Sequence, residues 1–158
     1  MQYNNLYLFN LTKIILYCNI NIFKGRGLMD IIGIIAEYNP FHNGHMYQIE
    51  EAKRQTGAEY VVAIITGNFT QRGNTSIVNK WAKAKMAIEN GVDIVIELPT
   101  IYSISSAENF AQGAIKILDN LKIVDVLCFG TETGDFAALN NIANIKFICT
   151  FNICSRSI

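Results

Sequence analysis

Residues 31–46, with the sequence IIGIIAEYNPFHNGHM, decide the fold of this chain. The first six of them are apolar apart from one glycine, a pattern that predicts a buried β-strand. Asn39-Pro40 then breaks the strand, and His42-Asn43-Gly44-His45 lies where a helix should begin. The stretch therefore predicts a strand, a tight loop and the start of a helix.

Two imidazoles and a glycine at that helix start indicate an anion site. His42 and His45 are three residues apart, so both rings can face one ligand, and Gly44 lets the backbone approach it closely. Unpaired N–H groups and the positive end of the helix dipole favour an anion, typically by about 0.3 to 1 kcal/mol each when exposed. We interpret the motif as a cradle for the phosphates of a nucleotide, in which the imidazoles stabilise the charge on departing pyrophosphate.

Two other interpretations of these histidines are weaker. They can simply cap a loop, because a short string of this kind also occurs by chance, but its place between a leading strand and a helix favours the phosphate site. They can also bind a metal, although only Glu37 lies near enough in sequence to join them. Glu37 itself either orients a histidine or a substrate hydroxyl, or merely ends the strand.

The composition predicts one cytoplasmic domain. With 158 residues, 51% of them hydrophobic, the chain is long enough for a single well-buried core. Three of its 13 basic residues and none of its 13 acidic residues lie in the first 28 positions, so the remainder is mildly acidic. This balance argues against a broad nucleic-acid-binding surface. The four cysteines lack disulfide or zinc spacing, which fits a reducing compartment, and Cys128 is expected to be buried.

Residues 1–28 are predicted to be an N-terminal extension that is either non-native or disordered. Polar residues such as Asn10, Lys13 and Asn19 interrupt this apolar segment, so it lacks the uninterrupted span of about 18 residues that a membrane helix needs. It also lacks the pattern of a secretory signal. Because Met29 directly precedes the first clear strand, we expect the domain to begin there.

Strands and helices are predicted to alternate along the rest of the chain. Apolar runs predict strands from residue 31 onward and at residues 60–66, 93–98 and 123–129. Asn43 is the expected cap of the first helix, which Gly57 ends, and Ser105 with Glu108 is the expected capping box of the third. The predicted inward-facing residues of the three helices are His45, Ile49, Ala52 and Thr56; Ile77, Trp81, Ala84 and Ile88; and Ala107, Phe110, Ala111, Ala114 and Leu118.

This alternation with short connections predicts an α/β fold: a single Rossmann-like domain with a doubly wound parallel sheet and helices on both faces. In such sheets, ligands bind outside the carboxyl ends of the strands, near the point where the strand order reverses. Residues 39–45, 68–74 and 130–134 each follow a predicted strand, so we expect them to lie together on that edge.

The opening motif also resembles that of a known family. GIIAEYNPFHNGH is similar to the leading motif of the tRNA(Met) cytidine acetate ligase family, within the His-x-Gly-His nucleotidyltransferase superfamily. Further blocks match in the same order, at residues 66–73, 79–81, 86, 97–99, 106–111 and 129–130. The resemblance covers about residues 29–144, the predicted nucleotidyltransferase-like, ATP-binding domain, and is far more specific than the two histidines alone.

The resemblance implies a ligase that uses ATP, with Mg²⁺, to activate acetate as acetyl-adenylate and release pyrophosphate. The acetyl group would then pass to N4 of the wobble cytidine in elongator tRNA(Met), in the cytoplasm and without a membrane. His42 and His45 would be the catalytic residues. The resemblance places ATP binding on Ile35, Ala36, Glu37, Tyr38, Asn39, Pro40, Phe41, His42, Asn43, Gly44, His45, Met46, Tyr47, Gln48 and Gly130.

One local concentration of basic residues is a candidate for contact with phosphate or with the tRNA backbone. Arg72 lies in a polar loop at the expected edge of the site, where it either contacts a ligand or faces solvent. Lys80, Lys83 and Lys85 are more simply explained as the solvated face of the second helix, with Trp81 buried on its apolar stripe.

The chain diverges from the family after about residue 144. Residues 145–158, IKFICTFNICSRSI, resemble a frameshifted tail, whereas the family continues with two further ATP contacts and most of its tRNA-recognising portion. We therefore expect a truncated member. Two other functions stay open: a different His-x-Gly-His adenylyltransferase that acts on a small phosphorylated acceptor without acetate, and an inactive fragment that binds ATP weakly or not at all.

Overall fold

A computed structural model describes residues 9–11, 14–18, 31–131 and 152–157, with side chains for residues 31–129. The described strands are β1 (Phe9–Leu11), β2 (Ile14–Cys18), β3 (Ile31–Ala36), β4 (Tyr60–Thr66), β5 (Ile94–Leu98), β6 (Val126–Thr131) and β7 (Asn152–Ser157). The described helices are α1 (Asn43–Thr56), α2 (Lys80–Glu89), α3 (Thr100–Ser103) and α4 (Ala107–Leu121). None of these helices is long and apolar enough to cross a membrane.

Four parallel strands make the centre of one sheet, whose strand order is β1-β2-β5-β4-β3-β6-β7. β3 pairs with β4 on one side and with β6 on the other, and β5 extends the sheet beyond β4. The chain therefore runs outward from β3 through β4 to β5 and then returns to β6, so the strand order reverses between β3 and β6. This topology confirms the predicted doubly wound α/β fold.

The parallel strands are buried on both faces, which explains their nearly continuous apolar sequences. On one face, Ile34 shares a core cluster with Ile49 of α1 and Ala84 of α2. On the other face, Ile64 shares a second cluster with Leu118 of α4. Helices thus cover both sides of the sheet and leave its carboxyl edge to the loops.

The predicted inward face of α2 is correct at Ala84, which is buried, and at Ile88, which packs against the core, and it is wrong at Ile77 and Trp81. The helix begins at Lys80, so Ile77 precedes it and is 76% exposed, and Trp81 is 42% exposed. The buried residues of α2 are Lys83, Ala84 and Ala87. In α1 and α4 the prediction is correct at Ile49, Ala52, Ala114 and Leu118, which are buried, and wrong at Ala107, which is exposed.

The N-cap of α4 lies one residue later than predicted. Ser106 is the N-cap, and its Oγ accepts the N–H of Asn109 at 3.3 Å. Ser105 instead donates its hydroxyl to the carbonyl oxygen of Tyr102 at 2.7 Å. Because Ser105 completes the turn that follows α3, the expected pairing with Glu108 does not form.

The edge strands come from segments that we predicted to flank the domain at residues 29–144. β1 and β2 are antiparallel, and Leu16 of β2 pairs with Ile96 of β5. β7 runs parallel to β6, which contains Cys128; as expected, Cys128 is buried. The remaining residues of 1–28 and 145–158 lie outside the described residues, so the two domain boundaries stay predictions.

Candidate functional site

The loop between β3 and α1 starts at the carboxyl end of the central strand, beside the reversal in strand order. Tyr38 has a left-handed backbone conformation, with φ of 47°, and its side chain is fully buried. The Asn39–Pro40 peptide bond is cis. Asn39 Oδ1 accepts the N–H of Ile77 at 2.7 Å, which ties this loop to the residues before α2. The loop that leads into α1 is therefore fixed by the buried side chain of Tyr38 and by the hydrogen bond from Ile77 to Asn39.

The side chains of His42 and His45 both accept backbone N–H groups at the start of α1. His42 is the N-cap residue, and Asn43, which we predicted as the cap, is the first helical residue. Nδ1 of His42 accepts the N–H of Gly44 at 3.1 Å, and Nδ1 of His45 accepts the N–H of His42 at 3.2 Å. The prediction misplaced the cap because an imidazole Nδ1 here does what an asparagine oxygen usually does.

These capping bonds decide which ring nitrogens carry hydrogen. Because each Nδ1 accepts a backbone N–H, it is unprotonated, and in the neutral ring Nε2 carries the hydrogen. The rings of His42 and His45 stack with their centroids 3.7 Å apart. Two Nε2–H donors therefore belong to adjacent, stacked rings at a helix N-terminus, where the positive end of the helix dipole also favours an anion.

His45 is neutral near pH 7 in this setting. Its ring meets the ring of Tyr38 edge-on at a centroid distance of 4.8 Å and lies 5.4 Å from that of Phe41. Burial, and secondarily the charge of His42, lowers the pKa of His45 to about 4. In the absence of a ligand, His45 is thus a neutral hydrogen-bond donor rather than a cation.

The loop between β4 and α2, residues 67–79, meets the first loop at the same edge. The carboxylate of Glu37 accepts the N–H of Gln71, and Gln71 Nε2 donates to the carbonyl oxygen of Ser105 at 2.8 Å. The carboxylate of Glu37 therefore joins two loops. Among the described side chains, the structure shows no bond from it to a histidine, and its role is more than ending the strand. Of residues 130–134, the first two belong to β6 and the others lie outside the described residues.

The predicted solvated position of Lys83 is wrong, because its side chain is buried, with 0% exposed. Its Nζ donates to the carbonyl oxygens of Glu37 and Thr66, each at 3.2 Å, and to Thr66 Oγ1 at 2.9 Å. The N-cap of α2 is Asn79, whose Oδ1 accepts the N–H of Ala82 at 2.9 Å. Lys83 shares the buried face of the helix with Ala84 and Ala87, and the cap by itself does not show which face turns inward.

The other basic residues of this region have different surroundings. Lys80 forms an ion pair with Glu97 at 2.9 Å. Gly67 lies against the same carboxylate, so the Cβ of any other residue at position 67 would overlap it. The side chain of Lys85 is 74% exposed, in agreement with the predicted solvated face. Arg72 is exposed in the second loop, so its contact with a ligand stays a prediction.

The predicted ATP-binding residues fall on three adjoining pieces of the structure. Ile35 and Ala36 end β3, residues 37–42 form the loop, and residues 43–48 form the first turns of α1. Gly130 lies in β6, two residues beyond the pairing of Ile34 with Cys128, so it belongs to the same carboxyl edge. Within the described part of the chain, no three His, Cys, Asp or Glu residues are grouped to hold a metal.

Most of the chain matches known proteins. The profile of the HIGH nucleotidyl transferase family matches residues 29–150. A tRNA(Met) cytidine acetate ligase of Caldanaerobacter subterraneus subsp. tengcongensis is 56% identical over 117 residues, which make up 74% of this chain and 29% of that protein. A tRNA(Met) cytidine acetate ligase of Acetivibrio thermocellus is 55% identical over 117 residues, or 74% of this chain and 28% of that protein.

A solved structure agrees with these relatives. The crystal structure of Thermotoga maritima TmcAL bound with alpha-thio ATP matches with a TM-score of 0.72 and 40% identity, over 74% of this chain and 28% of that one. The predicted resemblance to tRNA(Met) cytidine acetate ligases is thereby confirmed, and the chain spans less than a third of the length of the relatives that it matches. From the matched sequence profile and the shared fold, we conclude that this chain belongs to the HIGH nucleotidyl transferase family of enzymes.

Proposed function

We propose that this chain is the nucleotide-binding part of an ATP-dependent tRNA(Met) cytidine acetate ligase and activates acetate as acetyl-adenylate. The observation that carries the proposal is the reciprocal cap of His42 and His45, which supplies two Nε2–H donors at the strand-order reversal of a doubly wound sheet. Relatives named as this ligase, and a matching structure bound with alpha-thio ATP, support ATP as the nucleotide.

The proposed reaction is a displacement at the α-phosphorus of ATP. An acetate oxygen forms the new bond to that phosphorus, the bond to the bridging oxygen breaks, and pyrophosphate leaves with the electron pair. The Nε2–H groups of His42 and His45 would donate to phosphate oxygens as negative charge builds there, with the α1 dipole acting in the same direction. Donors already held by the cap need no rearrangement when the reaction occurs.

The other proposed contacts follow the same edge of the sheet. Residues 35–48 would surround the nucleotide, and Gly130 would allow close approach of its backbone. ATP would bring Mg²⁺ on its phosphates. Since Mg²⁺ keeps several waters and is held largely by substrate phosphates in such sites, it requires no cage of protein ligands here.

Transfer of the acetyl group to N4 of the wobble cytidine of tRNA(Met) is the second proposed step. The exocyclic amine of the cytidine would attack the acetyl carbon, the bond from that carbon to the phosphate oxygen would break, AMP would leave with the electron pair, and N4 would lose one proton to solvent. Arg72, exposed beside the proposed nucleotide site, is our candidate for contact with a phosphate of ATP or tRNA. We place this chemistry in the cytoplasm, where the tRNA substrate is found.

The decisive experiment is acetate-dependent exchange of labelled pyrophosphate into ATP. It compares this chain with a version extended to the length of the matched relatives, and each with the variants His45→Gln and Glu50→Gln. We expect exchange to need acetate, to fall by about 100-fold or more in His45→Gln because a transition-state donor is lost, and to persist in the exposed control Glu50→Gln.

The other outcomes separate the alternatives. Absence of exchange at both lengths would contradict acetate activation. Exchange that needs a phosphorylated acceptor instead of acetate would identify another adenylyltransferase of this family.

A second candidate, nucleotide binding without turnover, is favoured by one observation: the chain covers only 28 to 29% of the relatives' lengths. Isothermal titration with ATP tests it directly. Binding by this chain together with exchange by the extended version alone would support this second function.

A further inference from the structure

Lys83 is a fully buried cation that uses all three of its hydrogens within the protein. Its Nζ lies 2.9 Å from Thr66 Oγ1 and 3.2 Å from the carbonyl oxygens of Thr66 and Glu37. All three acceptors are neutral oxygens, so hydrogen bonds rather than a carboxylate partner offset the cost of burying this ammonium ion. Burial lowers the pKa of Lys83, whereas the nearby charges of Glu37 and Glu97 act in the opposite direction.

The acceptors of Lys83 belong to the ends of two strands. Thr66 is the last residue of β4, and Glu37 directly follows β3. Thr66 Oγ1 also donates to the carbonyl oxygen of Glu37 at 3.3 Å. The ammonium ion therefore joins the carboxyl ends of two parallel strands at the point where the nucleotide-binding loop departs.

The backbone changes direction immediately after this junction. Tyr38, the next residue, has the left-handed φ of 47°, and four residues later His42 begins the cap of α1. The carboxylate of Glu37 also holds the second loop through the N–H of Gln71. An anchored carbonyl at residue 37 thus controls where residues 38–42 can go.

We infer that Lys83 is a positioning residue, whose ammonium ion holds the carbonyl of Glu37 so that His42 and His45 take the paired geometry required for phosphate binding. Lys83 acts through the loop backbone rather than by touching the nucleotide. The inference rests on the proposed function for its consequence in ATP binding, but its consequence for the two imidazoles can be measured without any nucleotide.

The test uses the fact that the chain has only two histidines, so its imidazole proton resonances are few and separable. The variant Lys83→Met removes the cation at similar length, and Thr66→Val removes one acceptor while keeping the cation. Lys85→Met is the matched exposed control. Leu118→Ala, in the core cluster on the opposite face, controls for general loss of stability. All are compared at temperatures where each is folded.

We expect Lys83→Met to shift both imidazole resonances and to raise the pKa of His45 from about 4 toward the ordinary value of 6.5. We also expect it to weaken ATP binding by about 10- to 100-fold, because losing one hydrogen bond to a charged phosphate lowers affinity by about this factor. Thr66→Val should change the same quantities in the same direction by less. Lys85→Met and Leu118→Ala should leave them near the values of the unaltered chain.

Unchanged histidine resonances in folded Lys83→Met would overturn the inference, as would equal shifts in Leu118→Ala. If Lys83→Met does not fold, Thr66→Val decides in the same way: a shift confined to that variant supports the inference, and none overturns it. If the unaltered chain does not bind ATP, the proposed function fails for this chain, and the histidine resonances alone decide the role of Lys83.

Discussion

Two polar clusters lie at the carboxyl edge of this sheet, one on the surface and one beneath it. The surface cluster pairs His42 with His45 across a single helical turn. The buried cluster joins Lys83 to Thr66 and Glu37, which are 17 and 46 residues away in sequence. The surface cluster depends on hydrogen bonds within one short segment, whereas the buried cluster exists only because three elements pack together. We therefore expect the surface cluster to control the capping of α1 and the chemistry. We expect the buried cluster to control the stability and the shape of the carboxyl edge of the sheet.

The largest expected effect concerns the buried cluster. Lys83→Met should lower the free energy of unfolding by about 2 to 4 kcal/mol, because it leaves buried carbonyl and hydroxyl groups without their donor. Lys85→Met, on the exposed face of the same helix, should change it by less than about 0.5 kcal/mol. Urea denaturation followed by circular dichroism at pH 7 measures both, and equal effects of the two variants would show that burial does not distinguish these lysines.

The stability that the surface cluster contributes should depend on pH. Since the folded pKa of His45 lies below the unfolded value, the unfolded chain takes up the proton first as the pH falls. The stability contributed by neutral His45 is complete above pH 6.5 and declines toward pH 4, by on the order of 1 to 3 kcal/mol. His45→Gln should remove this part of the pH dependence. Parallel stability curves for the two proteins over this interval would contradict the lowered pKa.

Capping and phosphate binding can be separated at His42. His42→Ala should cost about 0.5 to 2 kcal/mol of stability, whereas His42→Asn should restore most of it because an asparagine oxygen is an effective N-cap acceptor. Asparagine lacks the Nε2–H donor at the imidazole's reach, so pyrophosphate exchange should stay low in both variants. Ser106→Ala, which removes the cap of α4, should lower stability without this loss of exchange. Full exchange in His42→Asn would assign His42 a capping role only.

The smallest expected effect compares two ion pairs made by lysines of α2, one with Glu97 of β5 and one with Glu89 of the same helix. Lys80 and Glu97 are 2.9 Å apart with both side chains largely buried, whereas Lys85 and Glu89 are 3.9 Å apart with side chains 74% and 42% exposed. Double-mutant cycles should give a coupling of about 1 kcal/mol for the first pair and at most about 0.3 kcal/mol for the second. A coupling for Lys85 and Glu89 as large as that for Lys80 and Glu97 would reverse the ranking by burial.

Sequence reasoning succeeded where neighbouring residues carry the information. The alternation of apolar runs with amphipathic segments predicted the doubly wound sheet, and the break after β3 followed by two histidines predicted the helix start with its candidate anion site. It failed by one residue at the caps of α1 and α4, because either of two adjacent polar side chains can serve as a cap, and the short-range hydrogen bonds that choose between them are not evident from residue types alone. It failed completely at Lys83, where a charged residue type suggested solvent.

The sequence by itself determined the strand, loop and helix at residues 31–46, since apolar periodicity, a proline break and a capping pair act over a few residues. Only the tertiary structure decided that Lys83 is buried, that Glu37 joins two loops, and that both meet where the loop to α1 leaves β3. The physical reason is that desolvating a cation is unfavourable unless acceptors converge on it, and those acceptors come from strands that pairing in the sheet brings together. The sequence of α2 alone does not show that acceptors from two strands will surround its lysine.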